Sequence, residues 1–182
     1  MMKRIKQFSR ALVAKGPSED ENKILKKYLT LEAEKYFRSM TIPDQRHVLN
    51  VFYTANELQK NKKLPVDNFL LNRCCLLHDI GRGRKMTTFC KTFSVILDKL
   101  CHRWAVRRGD SKEKFLGDML YHYYHHAELS ATILRNIGMK EEASIVELHH
   151  HDEEKLKELY QQGNKIAGSN ELKILKEADD LN

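Results

Sequence analysis

The chain has 182 residues, of which 41% are hydrophobic and 31% are charged, so it is long enough to bury a core without disulfide bridges or structural metal. This composition excludes a disordered protein, and the sequence has no apolar stretch long enough to cross a membrane. The formal net charge of +7 suits an anionic partner such as phosphate, but the basic residues are mixed with 25 acids along the whole chain, so charge alone identifies no partner.

The N-terminus carries positive charge but lacks a long apolar segment and a clear cleavage site, which makes it a poor secretory signal. The four cysteines are Cys74, Cys75, Cys90 and Cys101. Since the adjacent pair lies inside an apolar run and none of the four has the spacing of a zinc knuckle, we expect reduced thiols in the core. These features predict a cytoplasmic protein.

Only three prolines and few β-branched runs predict an all-α protein, a compact single-domain helical bundle of about seven helices. In chain order, the predicted helices span residues 21–39, 45–60, 66–80, 88–107, 112–137, 140–161 and 170–181. Three helix boundaries have identifiable chemistry, because Asp44 can cap the second helix while Gly81 and Gly138 follow the ends of the third and fifth.

The third predicted helix ends in the most informative feature of the chain, the adjacent pair His78-Asp79. The pair follows an apolar run that begins at Phe69, and Gly81 stops the helix just after it. An imidazole beside a carboxylate at the buried end of a helix is costly unless something compensates for its lost hydration. A divalent cation would compensate for both groups, but two adjacent residues cannot complete its coordination sphere.

Helical periodicity separates the remaining histidines and acids into those that face the core and those that face water. The residues that share a face with apolar side chains are His47, His126, His149, His150 and Asp179. Their neighbours His125, His151 and Asp180 fall on polar faces or at an edge. A lone histidine on an apolar face is more often a hydrogen-bonded core residue than a ligand. Several such groups on separate helices favour a metal site, because the interior of a helical bundle can bring such ligands together.

The sequence around these residues resembles the signature of the HD-domain metal-dependent phosphohydrolase superfamily. The order His47, His78-Asp79, Asp179 resembles the H…HD…D pattern. Further blocks also resemble the family: Leu76–Gly81 its central block, His126–Leu134 the H-P-E-x-G-A-x-x-L block, His149-His150 its paired histidines and Ala178–Leu181 the closing A-D-x-L. The resemblance implies an HD domain over residues 44–182, and we expect residues 1–43 to form an N-terminal helical extension packed on it.

The resemblance also implies a metal centre. A first divalent ion would be held by His47, His78, Asp79 and Asp179, and a second by His126, His149 and His150, with Asp79 able to bridge. Imidazole and carboxylate ligands suit Fe, Mn, Zn, Co, Ni or Mg, so they select neither the metal nor the choice between one ion and two.

The leading hypothesis is a phosphomonoesterase or phosphodiesterase that cleaves a nucleotide or another small phosphate ester with metal-activated water. The expected catalytic residues are His78, Asp79 and Arg82, and the expected phosphate-binding residues are Arg82, Arg84, Lys85 and Arg46. The alternative is a metal-stabilised regulatory domain that binds a nucleotide or a partner protein without turnover. Nucleic-acid binding rests on charge alone and is disfavoured, and the oligomeric state is left open.

The chain departs from the family pattern in three places. Arg82 stands where many members have lysine, and the cationic stretch 82–85 is equally explained as a solvated turn that complements a helix C-terminus. The G-Y-P tripeptide is missing after the paired histidines, where the sequence predicts a continuing helix, so cyclic-dinucleotide cleavage is only a weak hypothesis. The long segment 85–125, with Trp104 and a basic patch, is either an amphipathic packing helix or part of the substrate entrance.

Overall fold

The computed structural model describes residues 14–82, 101, 104, 106–110 and 114–182. These residues form an all-α structure, which confirms the predicted fold class. Among the described residues the structure has the α-helices α1 (Glu19–Tyr28), α2 (Leu31–Ser39), α3 (Ile42–Lys62), α4 (Asn68–Leu77), α5 (Lys114–Asn136), α6 (Lys140–Leu148), α7 (Glu153–Gln161) and α8 (Asn170–Leu181), with 3-10 helices at Ile80–Arg82 and Lys165–Gly168. Most of the predicted helix 88–107 lies outside the described residues.

Two of the predicted helices are wrong, because each is divided by a capping residue. The prediction 21–39 is divided into α1 and α2, since Thr30 accepts a hydrogen bond from the Ala33 amide (3.2 Å) and starts a new helix. The prediction 140–161 is divided into α6 and α7, where Asp152 caps α7 by accepting from the Lys155 amide (2.8 Å). The second break places His149 and His150 in a turn instead of inside a long helix.

Other boundaries follow from local chemistry. The cap of α3 is Thr41 and not Asp44, whose own amide donates to the Thr41 hydroxyl oxygen. The prediction that Asp44 caps this helix is therefore wrong. Gly138, with a φ of 81°, follows the end of α5 as expected, because glycine adopts this left-handed conformation without strain. Helix α4 ends at Leu77, so His78-Asp79 lies in the turn between α4 and the 3-10 helix.

Helix α4 is central to the bundle, since it contacts α1, α2, α3, α6 and α8. This position explains its apolar sequence: Cys74–Leu77 are all buried. Leu25 of α1 and Phe37 of α2 lie in the same core, which joins the N-terminal helices to the rest of the bundle. The division of the chain into an extension and a main domain stays a prediction.

The described cysteines have different environments. Cys74 and Cys75 are reduced and buried, as expected, but Cys101 is exposed, so the prediction of a core thiol is wrong there. Cys90 lies outside the described residues. Within the described part of the chain, no helix combines the length and the apolar character needed to span a membrane.

Candidate metal centre

Five separate segments bring their predicted ligands to one place in the structure. His47 lies in α3, His78 and Asp79 directly follow α4, His126 lies in α5, His149 and His150 directly follow α6, and Asp179 lies in α8. Three overlapping groups have ligand atoms within 4.8 Å of one another: His47 with His78 and Asp179, His78 with Asp79 and His149, and His126 with His149 and His150. The structure therefore brings together all seven residues that the sequence selected, while their role as ligands stays a prediction.

The first part of the cluster is formed by two histidines and two carboxylates. His47 Nε2 lies 2.9 Å from Asp179 Oδ1 and 3.6 Å from Asp79 Oδ2. His78 Nε2 lies 3.6 Å from the same two oxygen atoms. The side chains of His78 and Asp79 are fully buried. These four residues are the predicted ligands of a first ion.

The second part of the cluster is formed by three histidines, one of which lies beside the other oxygen of Asp79. His126 Nε2 lies 3.6 Å from Asp79 Oδ1 and 2.7 Å from His150 Nε2. The ring centroids of His149 and His150 are 3.9 Å apart. His150 contacts the cluster although its residue is exposed, so it does not face the core as the helical periodicity predicted. Asp79 thus directs one oxygen toward each half of the cluster, which is the arrangement that bridging requires.

Backbone carbonyls orient three of the imidazole rings. His78, His126 and His149 hold Nδ1 at 3.0, 2.8 and 2.5 Å from the carbonyl oxygen three residues earlier in the chain. Because a carbonyl oxygen only accepts, we assign the proton of each ring to Nδ1. This tautomer leaves the lone pair of Nε2 directed into the cluster, where a metal ion could accept it.

Several buried atoms of the cluster have no hydrogen bond within the described part of the chain. They are Nε2 of His47, His78 and His149 and Oδ1 of Asp79, while Asp79 Oδ2 has an ion pair with Arg82 but no aligned hydrogen bond. The contact of 2.9 Å between His47 and Asp179 is close, but it lacks hydrogen-bond alignment at Nε2. Buried polar atoms are rarely left in this condition, because each forfeits its hydration. A divalent cation fits this set of donors, since it satisfies nitrogen lone pairs and carboxylate oxygens together.

The electrostatic environment keeps most of the cluster deprotonated at neutral pH. Burial, followed by repulsion from neighbouring histidines, lowers the pKa of His149 to about 3 and that of His150 to about 3. Burial raises the pKa of Asp179, but its close contacts with the His47 and His78 imidazoles outweigh it and hold that pKa well below its usual range. Neutral imidazole and ionised carboxylate are the forms that bind metal.

Two further histidines of the cluster have shifted pKa values in opposite directions. Burial, and then the positive charge of Arg82, lowers the pKa of His126 well below its ordinary value. For His78, burial again favours the neutral form, but the carboxylates of Asp79 and Asp179 outweigh it and raise the pKa. In the protein alone, His78 is therefore the ring of this pair that more readily carries a proton to balance the acids.

A comparison with protein families identifies the fold. Residues 45–182, about three quarters of the chain, match the model of the family described as HD domain. The chain belongs to the HD domain family. The matched range contains all seven predicted ligands and confirms the resemblance inferred from the sequence. Comparisons with curated proteins and with solved structures gave no significant match.

Gly81 of the HD domain allows the turn after Asp79 to pack directly on α5. A Cβ atom at this position would lie 2.4 Å from the amide nitrogen of Ser130 and 2.5 Å from the carbonyl oxygen of His126. The Gly81 amide also donates a hydrogen bond of 2.8 Å to the Ser130 hydroxyl oxygen. The glycine that ends the family's central block therefore has a steric role, because it brings Asp79 close to His126.

Lys176 is a supporting residue of the HD domain that the sequence did not reveal. The periodicity of α8 groups Lys176 with the exposed Asp180, yet its side chain is half-buried. Its Nζ donates to the carbonyl oxygen of His149 at 3.2 Å and to that of His151. Carbonyls at a helix C-terminus need such donors. The Lys176 ammonium thereby connects the turn of paired histidines to the helix that carries Asp179.

Of the predicted phosphate-binding residues, one lies at the cluster and another is bound to an acid elsewhere. Arg82 Nη1 lies 2.5 Å from Asp79 Oδ2, and the side chain is 18% exposed. Arg46 instead contacts both carboxylate oxygens of Glu21, at 2.5 and 2.9 Å, so its guanidinium is engaged between α1 and α3. This arrangement gives no support to a role for Arg46 in phosphate binding. Arg84 and Lys85 lie outside the described residues.

Proposed function

We propose that this HD domain is a metal-dependent phosphohydrolase that acts on a small phosphate ester, such as a nucleotide. The observation that carries the proposal is the set of buried acceptor atoms around Asp79 that have no hydrogen bond within the described residues. Such a set is costly in a protein that uses it only for packing. It is favourable in a protein that binds a divalent ion there.

The ligand assignment follows the two halves of the cluster. We propose that His47, His78, Asp79 and Asp179 hold one ion and that His126, His149 and His150 hold a second, with Asp79 shared. When bound, the ion would act as a Lewis acid toward a phosphoryl oxygen and would lower the pKa of a coordinated water. The buried carboxylates and the fixed imidazole tautomers keep the donors correctly protonated and oriented for this role.

Arg82 is the described residue best placed to meet the phosphate. Its guanidinium lies at the cluster and remains 18% exposed, so it is accessible from solvent. A guanidinium stays charged at all ordinary pH values and can donate two parallel hydrogen bonds to a phosphate. We therefore assign it to substrate binding and to the stabilisation of charge that develops during phosphoryl transfer.

A screen of phosphate esters tests the proposal. The purified protein, supplied with Mn²⁺, Zn²⁺ or Fe²⁺ in turn, is incubated with nucleoside monophosphates and with aryl phosphate monoesters and diesters. We expect release of product that is abolished by a chelator and lowered at least about 100-fold by Asp79→Ala, because even changes behind the ligands of a metal cost about 10- to 100-fold. Asp180→Asn is the matched control, since this neighbouring acid is exposed.

Two results would overturn the proposal. Equal turnover by the wild-type protein and Asp79→Ala would exclude the cluster as the active site. Strong thermal stabilisation by a nucleotide, without product under any metal, would instead support a regulatory domain that binds without turnover.

A further inference from the structure

Arg82 places a permanent positive charge inside the candidate metal centre. Its Nη1 lies 2.5 Å from Asp79 Oδ2, and its Nη2 lies 3.3 Å from His126 Nε2. Both contacted atoms are predicted metal-binding atoms. The single lone pair of His126 Nε2 cannot serve a guanidinium N–H and a metal ion at the same time, and at Asp79 Oδ2 the guanidinium and the ion repel each other as two cations, so Arg82 opposes a bound ion at both atoms.

A second acid lies within reach of the same guanidinium nitrogen. Asp44 Oδ1 is 3.9 Å from Arg82 Nη1, and the Asp44 residue is 1% exposed. The hydroxyl of Thr41 donates a hydrogen bond of 2.6 Å to Asp44 Oδ2, which helps to fix the carboxylate in place. Asp44 belongs to none of the three groups of potential metal ligands. Arg82 is therefore close to one acid that can bind metal and to another that is outside the ligand set.

We infer that Arg82 competes with a divalent ion for Asp79 and His126, and that Asp44 receives the guanidinium when the ion binds. This inference rests on the proposed metal centre. The described ligand contacts of Arg82 are with Asp79, which both predicted sites share, and with His126, which belongs to the second site alone. Since the contacted Asp79 oxygen is Oδ2, which faces His47 and His78, the competition weakens ions at both predicted sites.

Asp44 is a positioning residue in this scheme, since it acts on the metal only through Arg82. Removing the charge of Arg82 leaves Asp79 and His126 to the ion alone, so binding becomes tighter. Removing the charge of Asp44 leaves the guanidinium without its alternative acid, so binding becomes weaker. The two substitutions thus have opposite expected effects, and a general loss of structure cannot produce both.

Calorimetric titration with Mn²⁺ tests this inference on the full chain. Elemental analysis after equilibration at a fixed free Mn²⁺ concentration gives the number of ions bound per chain. We expect Arg82→Met to lower the Kd for Mn²⁺ about tenfold and Asp44→Asn to raise it about tenfold, in line with the loss of one charge-assisted contact. Arg135→Met is the matched control, because Arg135 pairs with Glu147 at the surface, away from the ligand groups.

The outcomes separate this inference from the proposed metal centre. If the wild-type protein binds Mn²⁺ tightly and Arg82→Met binds it equally well or more weakly, the competition is overturned and the metal centre stands. Unchanged or tighter binding by Asp44→Asn would overturn the role of Asp44, and this variant can be tested even if Arg82→Met does not fold. A wild-type protein that binds no Mn²⁺ would overturn the metal centre and the competition together.

Discussion

The backbone at Gly81 lies so close to the carbonyl of His126 that a Cβ atom there would come within 2.5 Å of its oxygen. This contact fixes the spacing between the turn that carries Asp79 and the helix that carries His126. A methyl group meets backbone atoms here and not the flexible end of a side chain, so the two segments must move apart to admit it.

Gly81→Ala is therefore expected to lower the free energy of unfolding by about 1 to 3 kcal/mol, the usual cost of overpacking. It is also expected to weaken Mn²⁺ binding, because Asp79 moves away from His126. Denaturant unfolding and calorimetry measure the two effects. Gly16→Ala is the control, since its added methyl would meet only Ile42 at 3.7 Å. Equal behaviour of the two variants would contradict the steric role of Gly81.

The adjacent acids Asp179 and Asp180 provide a matched test of the ligand assignment. Asp179 Oδ1 lies 2.9 Å from His47 Nε2, whereas Asp180 is exposed on the same helix. We expect Asp179→Asn to raise the Kd for Mn²⁺ at least about tenfold, because a neutral amide is a poorer ligand than a carboxylate. Asp180→Asn leaves that Kd unchanged. A similar loss in both variants would point to a general effect of charge.

Lys176 is expected to support metal binding without touching the metal. Its hydrogen bonds to the carbonyls of His149 and His151 hold the turn of paired histidines against α8. Lys176→Met removes both bonds, so we expect Mn²⁺ affinity to fall about tenfold, as for other residues that orient ligands. The exposed Lys173 on the same helix gives the control Lys173→Met. If calorimetry finds the same affinity in both variants, the turn does not depend on Lys176.

The pair of Glu21 and Arg46 makes the stability of the domain depend on acid. The hydrogen bond from Arg46 lowers the pKa of Glu21 from 4.5 to about 2. The stabilisation is therefore present above pH 4.5 and is lost as the pH falls toward 2. Unfolding in denaturant at several pH values, with a chelator present, measures this change.

The variant Glu21→Gln isolates the contribution of this pair. The difference in unfolding free energy between wild type and Glu21→Gln is expected to shrink steadily between pH 5 and pH 2. The exposed Glu154 supplies Glu154→Gln as a control, whose change with pH the Glu21→Gln trend is expected to exceed. A difference for Glu21→Gln that stays constant across this range would show that the ion pair does not stabilise the fold.

The grouping of the candidate ligands can be predicted largely from the sequence because the relevant information is local. His126 has apolar or small neighbours at helical spacing. Asp179 likewise shares a helix face with apolar residues, whereas Asp180 shares one with lysines. The same argument explains the failure for Arg46. The position of Arg46 next to His47 suggests a role in phosphate binding. Adjacent residues on a helix, however, point about 100° apart, and the Arg46 guanidinium contacts the Glu21 carboxylate instead.

Other features depend on contacts that periodicity does not contain. Helical periodicity does not predict the helix breaks at Thr30 and Asp152, because it does not show that the side chain of each residue caps a new helix. Asp44 and Lys176 act through partners that lie far away in sequence, Arg82 and the turn of paired histidines. Only the folded arrangement brings such residues together.

The carbonyl contacts of His78, His126 and His149 mean that each ring is aimed by its own turn of chain. The direction of a ligand is then decided within four consecutive residues, before any other helix is in place. Assembly of the bundle has only to set the distances between rings that already point correctly. A fluctuation that separates two helices would lengthen the distances between the rings but leave each ring in its orientation. The centre can therefore reform as soon as the helices close again.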